Sequence, residues 1–400
     1  MKKNIIFTII ITALLTCLIT NTVRDIMFVQ SHDGLLEKVQ KVADIIDTHS
    51  IYEIDSSKMS DMASEAIAFS MNDPYTRYYS KQAFSDKLID MNSSYLGIGV
   101  TLSVDPEADK LVIMDVSAGQ SAHNHGVMKG DFLLAVNGTP YSSEQLDEAA
   151  AAVRGSGPEA LEGSTVALTL ERNGETIDIT VTREIILKNT VSSKLLDNGI
   201  GYINITQFSP KDPDLKDSTD TSEDFNNQLD SLEAQGITSL IIDLRDNPGG
   251  ELDTVLNIAD RLLPSGIIMY TENKKGARQN YTSDEKSTDL PIVVLINEES
   301  ASASEVLSGA LKDSGKATLV GEKSFGKGVV QVVIPLSDGS GVTVTTEKYF
   351  TPSGTCIHGT GIEPHIVVPF ETNKLLSDLT YEEDIQLQKA VEVLLSNQQS

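Results

Sequence analysis

The stretch IVVLINEESASASEVLSGALK, residues 292–312, carries the pattern that decides the fold of this 400-residue chain. It opens with five consecutive apolar residues, Ile292–Ile296, which are typical of a strand buried on both faces. Small residues follow, and the spacing of apolar side chains predicts a helix over Ala303–Lys312. A buried strand that leads through a small-residue turn into a helix is typical of an α/β layered fold.

The same alternation of apolar strands and helices continues on both sides of this stretch. Further strands are predicted over Gly199–Ile205, Leu240–Leu244, Ala317–Gly321, Val329–Ile334 and Val342–Tyr349, and further helices over Ser222–Gln235 and Leu252–Leu263. Strands that alternate with helices in this way predict a buried sheet with helices packed against it.

From Tyr95 to about residue 182 the chain changes to short apolar strands separated by glycines. These strands are predicted over Leu96–Leu102, Leu111–Val116, Phe132–Val136, Val166–Glu171 and Ile177–Val181. Asn-Gly pairs at Asn137-Gly138 and Asn173-Gly174 are typical of tight hairpin turns. Roughly ninety residues are enough for a separate domain.

The N-terminus begins with two lysines and continues as an uncharged, mostly apolar run from Asn4 to Val23. A helix of that length spans about 30 Å, the thickness of a hydrocarbon core. The acidic remainder and the lysines predict an uncleaved anchor over residues 1–23, with the bulk of the chain outside the membrane of a bacterial cell. Apolar residues at helical spacing, including Leu35, Val39 and Val42, predict a helical region after it.

Composition excludes several classes of protein. Asp and Glu number 58 against 31 Lys and Arg, which gives a formal net charge of −27. So acidic a surface repels phosphate, and we expect no nucleic-acid partner. The two cysteines, Cys17 and Cys356, provide neither a disulfide framework nor a thiolate zinc site.

Ser302 is a candidate nucleophile, because it lies where the predicted strand turns into a helix with unpaired N–H groups at its first turn. On this segment alone, a helix-capping box formed by Ser302 and Glu305 is the favoured interpretation, because S-x-x-E is common before helices. Lys327 lies between two glycines before an apolar strand, where desolvation would lower its pKa and let it act as a base. The spacing permits this role but does not require it.

A third candidate segment is Asn247-Pro248-Gly249-Gly250, which follows a predicted strand and precedes a helix. Its amides could stabilise an oxyanion in acyl transfer. Taken alone, the segment is better explained as an ordinary turn between a strand and a helix.

Taken together, these segments resemble the carboxyl-terminal processing proteases, or tail-specific proteases, a family of Ser/Lys endopeptidases. The resemblance covers roughly residues 30–370, and so many ordered motifs are far more specific than any one of them. The matching motifs, in order, are Asp73–Tyr78, Tyr95–Val100, Gly201–Ile203 with Gln207-Phe208, Asp243–Gly250, Ser300–Glu305, Gly321–Gln331, Thr351–Gly354 and Gly361–Pro364.

The resemblance implies a Ser/Lys catalytic site without metal or organic cofactor. By position, Ser302 is the nucleophile, Lys327 the general base, and Gln331 the polar residue that orients the lysine. One oxyanion donor is the amide of Ala303, and the second comes from Gly249 or Gly250. Glu305 is a candidate for a supporting role, but its capping function explains it equally well.

The resemblance also implies a PDZ domain inserted before the protease core. Its carboxylate-binding loop corresponds to Tyr95-Leu96-Gly97-Ile98, which would hold the terminal carboxylate of an unstructured protein tail. Arg183 takes the position of a residue that couples the PDZ domain to the core. The alternative interpretation of Arg183 is a solvated strand end.

These observations predict an α/β multidomain protein with a crotonase-like serine protease core. The predicted parts are a membrane anchor (1–23), a helical region (24–92), a PDZ domain (93–185), a protease domain (186–372) and a C-terminal helical segment (373–400). Helical ends favour a homodimer, although the C-terminal apolar face could equally pack on its own core. Two alternatives are a membrane-tethered PDZ adaptor without proteolytic activity and a crotonase-like acyl-CoA enzyme. The intact Ser302, Lys327 and Gln331 argue against the adaptor.

Overall fold

The computed structural model describes residues 34–155, 161–213, 215, 218–372, 374 and 376–397. It divides into two units, Met1–Asn72 and Asp73–Ser400. In the first unit, helix α1 covers 34–49 and helix α2 covers Ser56–Phe69. Helix α2 begins after Asp55, whose carboxylate accepts two N–H groups of the first turn.

The predicted membrane anchor, residues 1–23, lies outside the described residues. Within the part of the chain that the structure describes, no helix has both the length and the apolar character needed to cross a bilayer.

The second unit combines helices with several β-sheets. Its helices are α3 (Lys81–Met91), α4 (Ser121–Asn124), α5 (Leu146–Arg154), α6 (Thr221–Ala234), α7 (Leu252–Leu262), α8 (Ala303–Asp313) and α9 (Ile385–Asn397). Its strands are β1 (Arg77–Tyr79), β2 (Ser94–Gly97), β3 (Val100–Asp105), β4 (Lys110–Val116), β5 (Phe132–Val136), β6 (Thr139–Pro140), β7 (Thr165–Arg172), β8 (Glu175–Thr182), β9 (Glu184–Leu187), β10 (Val191–Leu196), β11 (Ile200–Ile205), β12 (Ser239–Asp243), β13 (Gly266–Asn273), β14 (Arg278–Ser283), β15 (Ile292–Ile296), β16 (Ala317–Gly321), β17 (Val329–Pro335), β18 (Gly341–Phe350) and β19 (Ile366–Val367).

A central sheet runs in the order β10-β11-β12-β15-β16-β19. All neighbours are parallel except β10, which is antiparallel to β11. Every residue of β12 and β15 is buried, as expected for strands covered on both faces. Helices α6, α7 and α8 contribute to the core on one face, and α9 packs on the other. Helix α9 packs there through Leu387, Ala390, Val391 and Leu394, whereas Ile385, which belongs to the predicted C-terminal apolar face, is 44% exposed.

A second, antiparallel sheet lies beside the central one. Its order is β1-β18-β13-β14, and β17 pairs with β18. Strand β17 begins two residues after Lys327, so this sheet positions the loop that carries the predicted base. The prediction of a layered sheet with helices is confirmed for the central sheet, whereas β13 and β14 were not predicted.

The glycine-rich region forms an antiparallel sheet of its own, ordered β3-β4-β5-β7-β8 with β6 on β5. Its core is separate from that of the central sheet. The two predicted hairpin turns are present, because Asn137, Gly138, Asn173 and Gly174 all have positive φ. Strand β3 is an edge strand, and helix α5 packs beside it. Within the described ranges no strand pairs with the outer edge of β3, and an open edge next to a helix is the arrangement that admits an added peptide strand.

Candidate active site

Ser302 lies at the junction between β15 and α8, where the sequence placed it. Its φ of 55° and ψ of −113° are strained for a residue with a side chain. Such strain persists only where the surroundings fix the backbone, and here the Ser302 N–H donates to Glu305 Oε2 at 2.9 Å. This bond is the carboxylate half of the predicted capping box.

The carboxylate of Glu305 is fully buried and accepts hydrogen bonds from both candidate segments. Its Oε1 accepts from Ser324 Oγ at 2.6 Å and from Gly326 N at 2.8 Å. Its Oε2 accepts from Lys327 N at 2.8 Å as well as from Ser302 N. Burial raises the pKa of this carboxyl, and the four hydrogen bonds act in the opposite direction. Glu305 therefore joins the backbone of the predicted nucleophile to that of the predicted base.

Lys327 is half-buried beside an aromatic ring. Its Nζ lies 5.2 Å from the centroid of the Tyr75 ring. Burial lowers the pKa of Lys327, the positive charges of Lys87 and Arg77 lower it further, and Glu305 opposes them. The desolvation that was predicted to lower the pKa of Lys327, and so to let it act as a base, is therefore present.

The Ser302 hydroxyl and the Lys327 amine are not hydrogen-bonded to each other within the described residues. Catalytic hydrogen bonds are often long before substrate binds, so this geometry is compatible with a Ser/Lys pair. What links the two residues here is the carboxylate of Glu305.

Gln331 contacts Tyr75 rather than the lysine. Its amide Nε2 donates to the backbone carbonyl of Tyr75, which also accepts from Thr343 Oγ1 at 3.0 Å. Gln331 thus holds the segment whose ring covers Lys327. Tyr75 belongs to one of the matching motifs, but no role for it could be predicted, because nothing in the spacing places residue 75 beside residue 327.

The loop after β12 is held against the Ser302 segment by Asn247, whose side chain is fully buried. Its Nδ2 donates to Ile205 O at 2.7 Å, and its Oδ1 accepts from Gly249 N at 2.9 Å. The loop lies so close to the Ser302 segment that a Cβ on Gly249 would be 2.8 Å from both Ala303 N and Ser302 Cβ. Only glycine fits at position 249.

Gly250 and Ala303 carry the N–H groups that are available to an oxyanion. The N–H of Gly249 is already donated to Asn247, whereas those of Gly250 and Ala303 have no hydrogen-bond partner among the described residues. A Cβ on Gly250 would lie 2.0 Å from Phe208 O, so this position also requires glycine. Of the two glycines that the sequence left open, the geometry favours Gly250.

Arg245 anchors the start of the same loop in a buried ion cluster. Its guanidinium pairs with Asp243 at 2.6 Å and with Asp384, which precedes α9, at 2.7 Å. All three side chains are at most 6% exposed. The C-terminal helix is therefore tied directly to the strand end that leads into the glycine loop.

The predicted carboxylate-binding loop lies at the entrance to the open edge of β3. Tyr95, Leu96 and Gly97 belong to β2, which pairs with β9, so they form strand rather than loop. The chain turns at Ile98 and at Gly99, which has a φ of 80°. The N–H groups of Ile98 and Gly99 have no hydrogen-bond partner among the described residues.

Comparisons with known proteins agree with this geometry. Residues 199–368 match the model of peptidase family S41, and residues 88–171 match the PDZ domain. The carboxyl-terminal-processing protease of Synechocystis sp. is 36% identical, covering 83% of this chain and 76% of that protein. The chain belongs to the carboxyl-terminal processing proteases. The family predicted from the motifs is thus confirmed, and the chain is a serine-type peptidase of family S41 with a PDZ domain.

Two further comparisons extend over most of the chain. The carboxy-terminal processing protease CtpB of Bacillus subtilis is 32% identical, covering 84% of this chain and 68% of that protein. A solved S41 protease structure from Bacteroides fragilis has a TM-score of 0.57 and 19% identity, covering 83% of this chain and 90% of the other. At that identity the second likeness shows the fold alone.

In this peptidase Arg183 lies between β8 and β9, beyond the residues 88–171 that match the PDZ domain. It is 5% exposed and donates to Val153 O, Ala152 O, Thr165 O and Ser164 Oγ at 2.8–3.2 Å. The alternative interpretation as a solvated strand end is therefore wrong. Arg183 binds carbonyl groups near the end of α5, the helix that lines the open edge of β3.

Proposed function

We propose that Ser302 is the nucleophile of this peptidase and Lys327 its general base. The observation that carries the proposal is the buried carboxylate of Glu305, which accepts the N–H groups of both residues. Burying a carboxylate costs free energy, and here four hydrogen bonds offset that cost. Packing alone would not require a charged group at this position. The carboxylate instead fixes the distance between the segments that carry Ser302 and Lys327.

In this mechanism, Ser302 Oγ attacks the scissile carbonyl while Lys327 Nζ accepts its proton. The oxyanion of the tetrahedral intermediate binds the N–H groups of Ala303 and Gly250. The Lys327 ammonium then protonates the leaving amine, and an acyl-enzyme forms on Ser302. Water, deprotonated by the same lysine, hydrolyses this ester and releases the shortened protein.

Gln331 acts in this scheme through Tyr75. Its hydrogen bond to the Tyr75 carbonyl holds the ring against Lys327 and keeps water away from the amine. A shielded amine has a lower pKa, which favours the neutral form that a base requires.

The substrate is an unstructured protein C-terminus that adds a strand to the open edge of β3. Its carboxylate binds at the turn after Tyr95–Gly97, where the N–H groups of Ile98 and Gly99 are available. Arg183 holds α5, which forms the other wall of this groove. Its position between β8 and β9, where the chain leaves the groove-bearing sheet, is the one from which we expect it to couple the groove to the core.

The remaining parts of the proposal concern architecture and location. Residues 1–23 anchor the enzyme in the cell membrane of a bacterium, with the catalytic domain on the extracytoplasmic side. Helix α1 presents exposed apolar side chains, and a homodimer would cover them. The layering of the core is crotonase-like, and the acidic surface excludes nucleic-acid partners.

The test is cleavage of unfolded β-casein by the full chain in mild detergent. Ser302→Ala and Lys327→Ala should each abolish cleavage, whereas the exposed controls Ser314→Ala and Lys323→Ala should cleave like the wild type. If tail peptides bind but the wild type cuts nothing, the chain is an adaptor under these conditions. If cleavage survives in Lys327→Ala, the base has been assigned to the wrong residue.

A further inference from the structure

Tyr349 lies beneath the candidate active site and contacts the backbone of Ser302. Its hydroxyl donates a hydrogen bond of 2.9 Å to the carbonyl oxygen of Ser302. The side chain extends from β18 and is 2% exposed. The same carbonyl accepts the N–H groups of Glu305 and Val306 at 2.9 and 3.0 Å, as the first turn of a helix requires.

The carbonyl of Ser302 and the N–H of Ala303 belong to one peptide unit. That unit is planar, and in a trans peptide its C=O and N–H point in opposite directions. A donor that fixes the carbonyl therefore also fixes the direction of the Ala303 N–H. Hydrogen bonds in such a chain polarise one another, so the hydroxyl also makes this N–H a stronger donor.

We infer that Tyr349 is a positioning residue for the oxyanion site, acting through the peptide unit that joins Ser302 to Ala303. This inference rests on the proposed function, in which Ser302 is the nucleophile and Ala303 N–H an oxyanion donor. Tyr349 does not touch the substrate in this scheme. It sets the direction and strength of a group that does.

A second contact of Tyr349 supports the inference. Its backbone N–H donates to the carbonyl of Gly328 at 3.1 Å, immediately after Lys327. One residue therefore contacts the backbone of the nucleophile through its hydroxyl and the base-bearing loop through its main chain. Burial and the nearby Glu305 raise the pKa of the Tyr349 hydroxyl, which favours the protonated form that donates this hydrogen bond.

Tyr349→Phe removes one oxygen atom and keeps the ring. The carbonyl of Ser302 retains two backbone donors, so we expect the variant to fold with a melting temperature within a few degrees of the wild type. The matched control is Tyr281→Phe, which removes the hydroxyl of a half-buried tyrosine on β14 of the same sheet.

The experiment measures kcat and KM for fluorescein-labelled β-casein with the full chain, normalised to active sites counted with a fluorophosphonate. We expect Tyr349→Phe to lower kcat about tenfold with KM within about twofold of the wild type, because the oxyanion forms only in the transition state. The rate constant for fluorophosphonate labelling of Ser302 should fall in parallel. Tyr281→Phe should leave all three quantities unchanged.

Two results would overturn the inference. The first is that Tyr349→Phe has the same kcat per active site as the wild type. The second is that Tyr349→Phe does not fold, because the hydroxyl would then be needed for the stability of the protein as a whole. Failure of the proposed function looks different, because the wild type would then cut nothing or Ser302→Ala would still cut.

Discussion

The carboxylate of Glu305 accepts the backbone N–H of Lys327 at 2.8 Å, through the same oxygen that accepts the N–H of Ser302. Residues 302 and 327 lie on different elements, one at the start of α8 and the other before β17. A single buried atom thus sets the spacing between the segments that carry Ser302 and Lys327, the proposed nucleophile and base.

Replacing Glu305 with glutamine should disturb the site in either orientation of the amide. In the place of Oε2 the amide NH₂ would face the N–H groups of Ser302 and Lys327, and in the place of Oε1 it would face one N–H and one hydroxyl. Either orientation sets donor against donor in a buried site. We expect Glu305→Gln to lower kcat at least tenfold and the free energy of unfolding by about 2 kcal/mol or more. The measurements are casein cleavage and urea unfolding, with Glu299→Gln as the exposed control. If Glu305→Gln and Glu299→Gln had the same kcat and the same free energy of unfolding, Glu305 would not hold the two segments together.

The pH dependence of cleavage should depend on the charge of Lys87. A positive neighbour disfavours the protonated form of Lys327 and so lowers its pKa. Lys87→Gln removes that charge, so the pKa of Lys327 rises and a smaller fraction of the amine is neutral at pH 7.

We therefore expect kcat/KM for Lys87→Gln to fall about two- to threefold at pH 7 in low salt, and to approach the wild-type value at high pH. Lys87→Arg keeps the charge and should keep the wild-type profile. The measurement is kcat/KM of the wild type and both variants at pH values from 6 to 10. A shift of the rising limb to lower pH in Lys87→Gln would contradict the electrostatic argument.

Asp384 should be important for stability because it shares Arg245 with Asp243. Removing one partner leaves an uncompensated charge in a buried cluster, which costs about 3–5 kcal/mol. We expect Asp384→Ala to lower the free energy of unfolding by that amount, whereas Glu382→Ala, at an exposed site two residues earlier, should change it by about 0.5 kcal/mol or less. Urea unfolding of both variants tests this. If the two variants lost a similar free energy of unfolding, the ion cluster of Arg245 would not be what holds α9 in place.

Tail recognition should require a free C-terminal carboxylate. Backbone N–H groups at the turn after β2 are available to a charged acceptor, and an amidated tail offers only a neutral one. We expect an apolar tail peptide to bind the inactive Ser302→Ala chain about tenfold or more tightly than its amidated form, by fluorescence anisotropy. The two peptides would bind equally if the tail were held only by its side chains.

The sequence predicted the central sheet well because its strands are buried on both faces. Strand β15 has the predicted bounds, and α8 begins at the predicted residue and ends one residue later. Strand β14, Arg278–Ser283, was missed because it is a mostly exposed edge strand whose polar residues lack an apolar pattern.

Contacts between distant residues were the part of the site that spacing could not predict. Gln331 was expected to orient Lys327, but its hydrogen bond goes to Tyr75, 256 residues away along the chain. The choice of Gly250 over Gly249 depends on a hydrogen bond from Gly249 to Asn247, which a sequence motif does not reveal. Arg183 was found buried because its carbonyl partners, on α5 and at the start of β7, come together only in the folded chain.

The most direct test of the central claim is to locate the covalent adduct of a fluorophosphonate on the full chain by peptide mass spectrometry at pH 8. We predict a single adduct on Ser302, formed at least about a hundredfold more slowly in Lys327→Ala and at the wild-type rate in Lys323→Ala. An adduct on another serine, such as Ser300 or Ser304, or equal labelling of the wild type and Lys327→Ala, would contradict the Ser302–Lys327 mechanism.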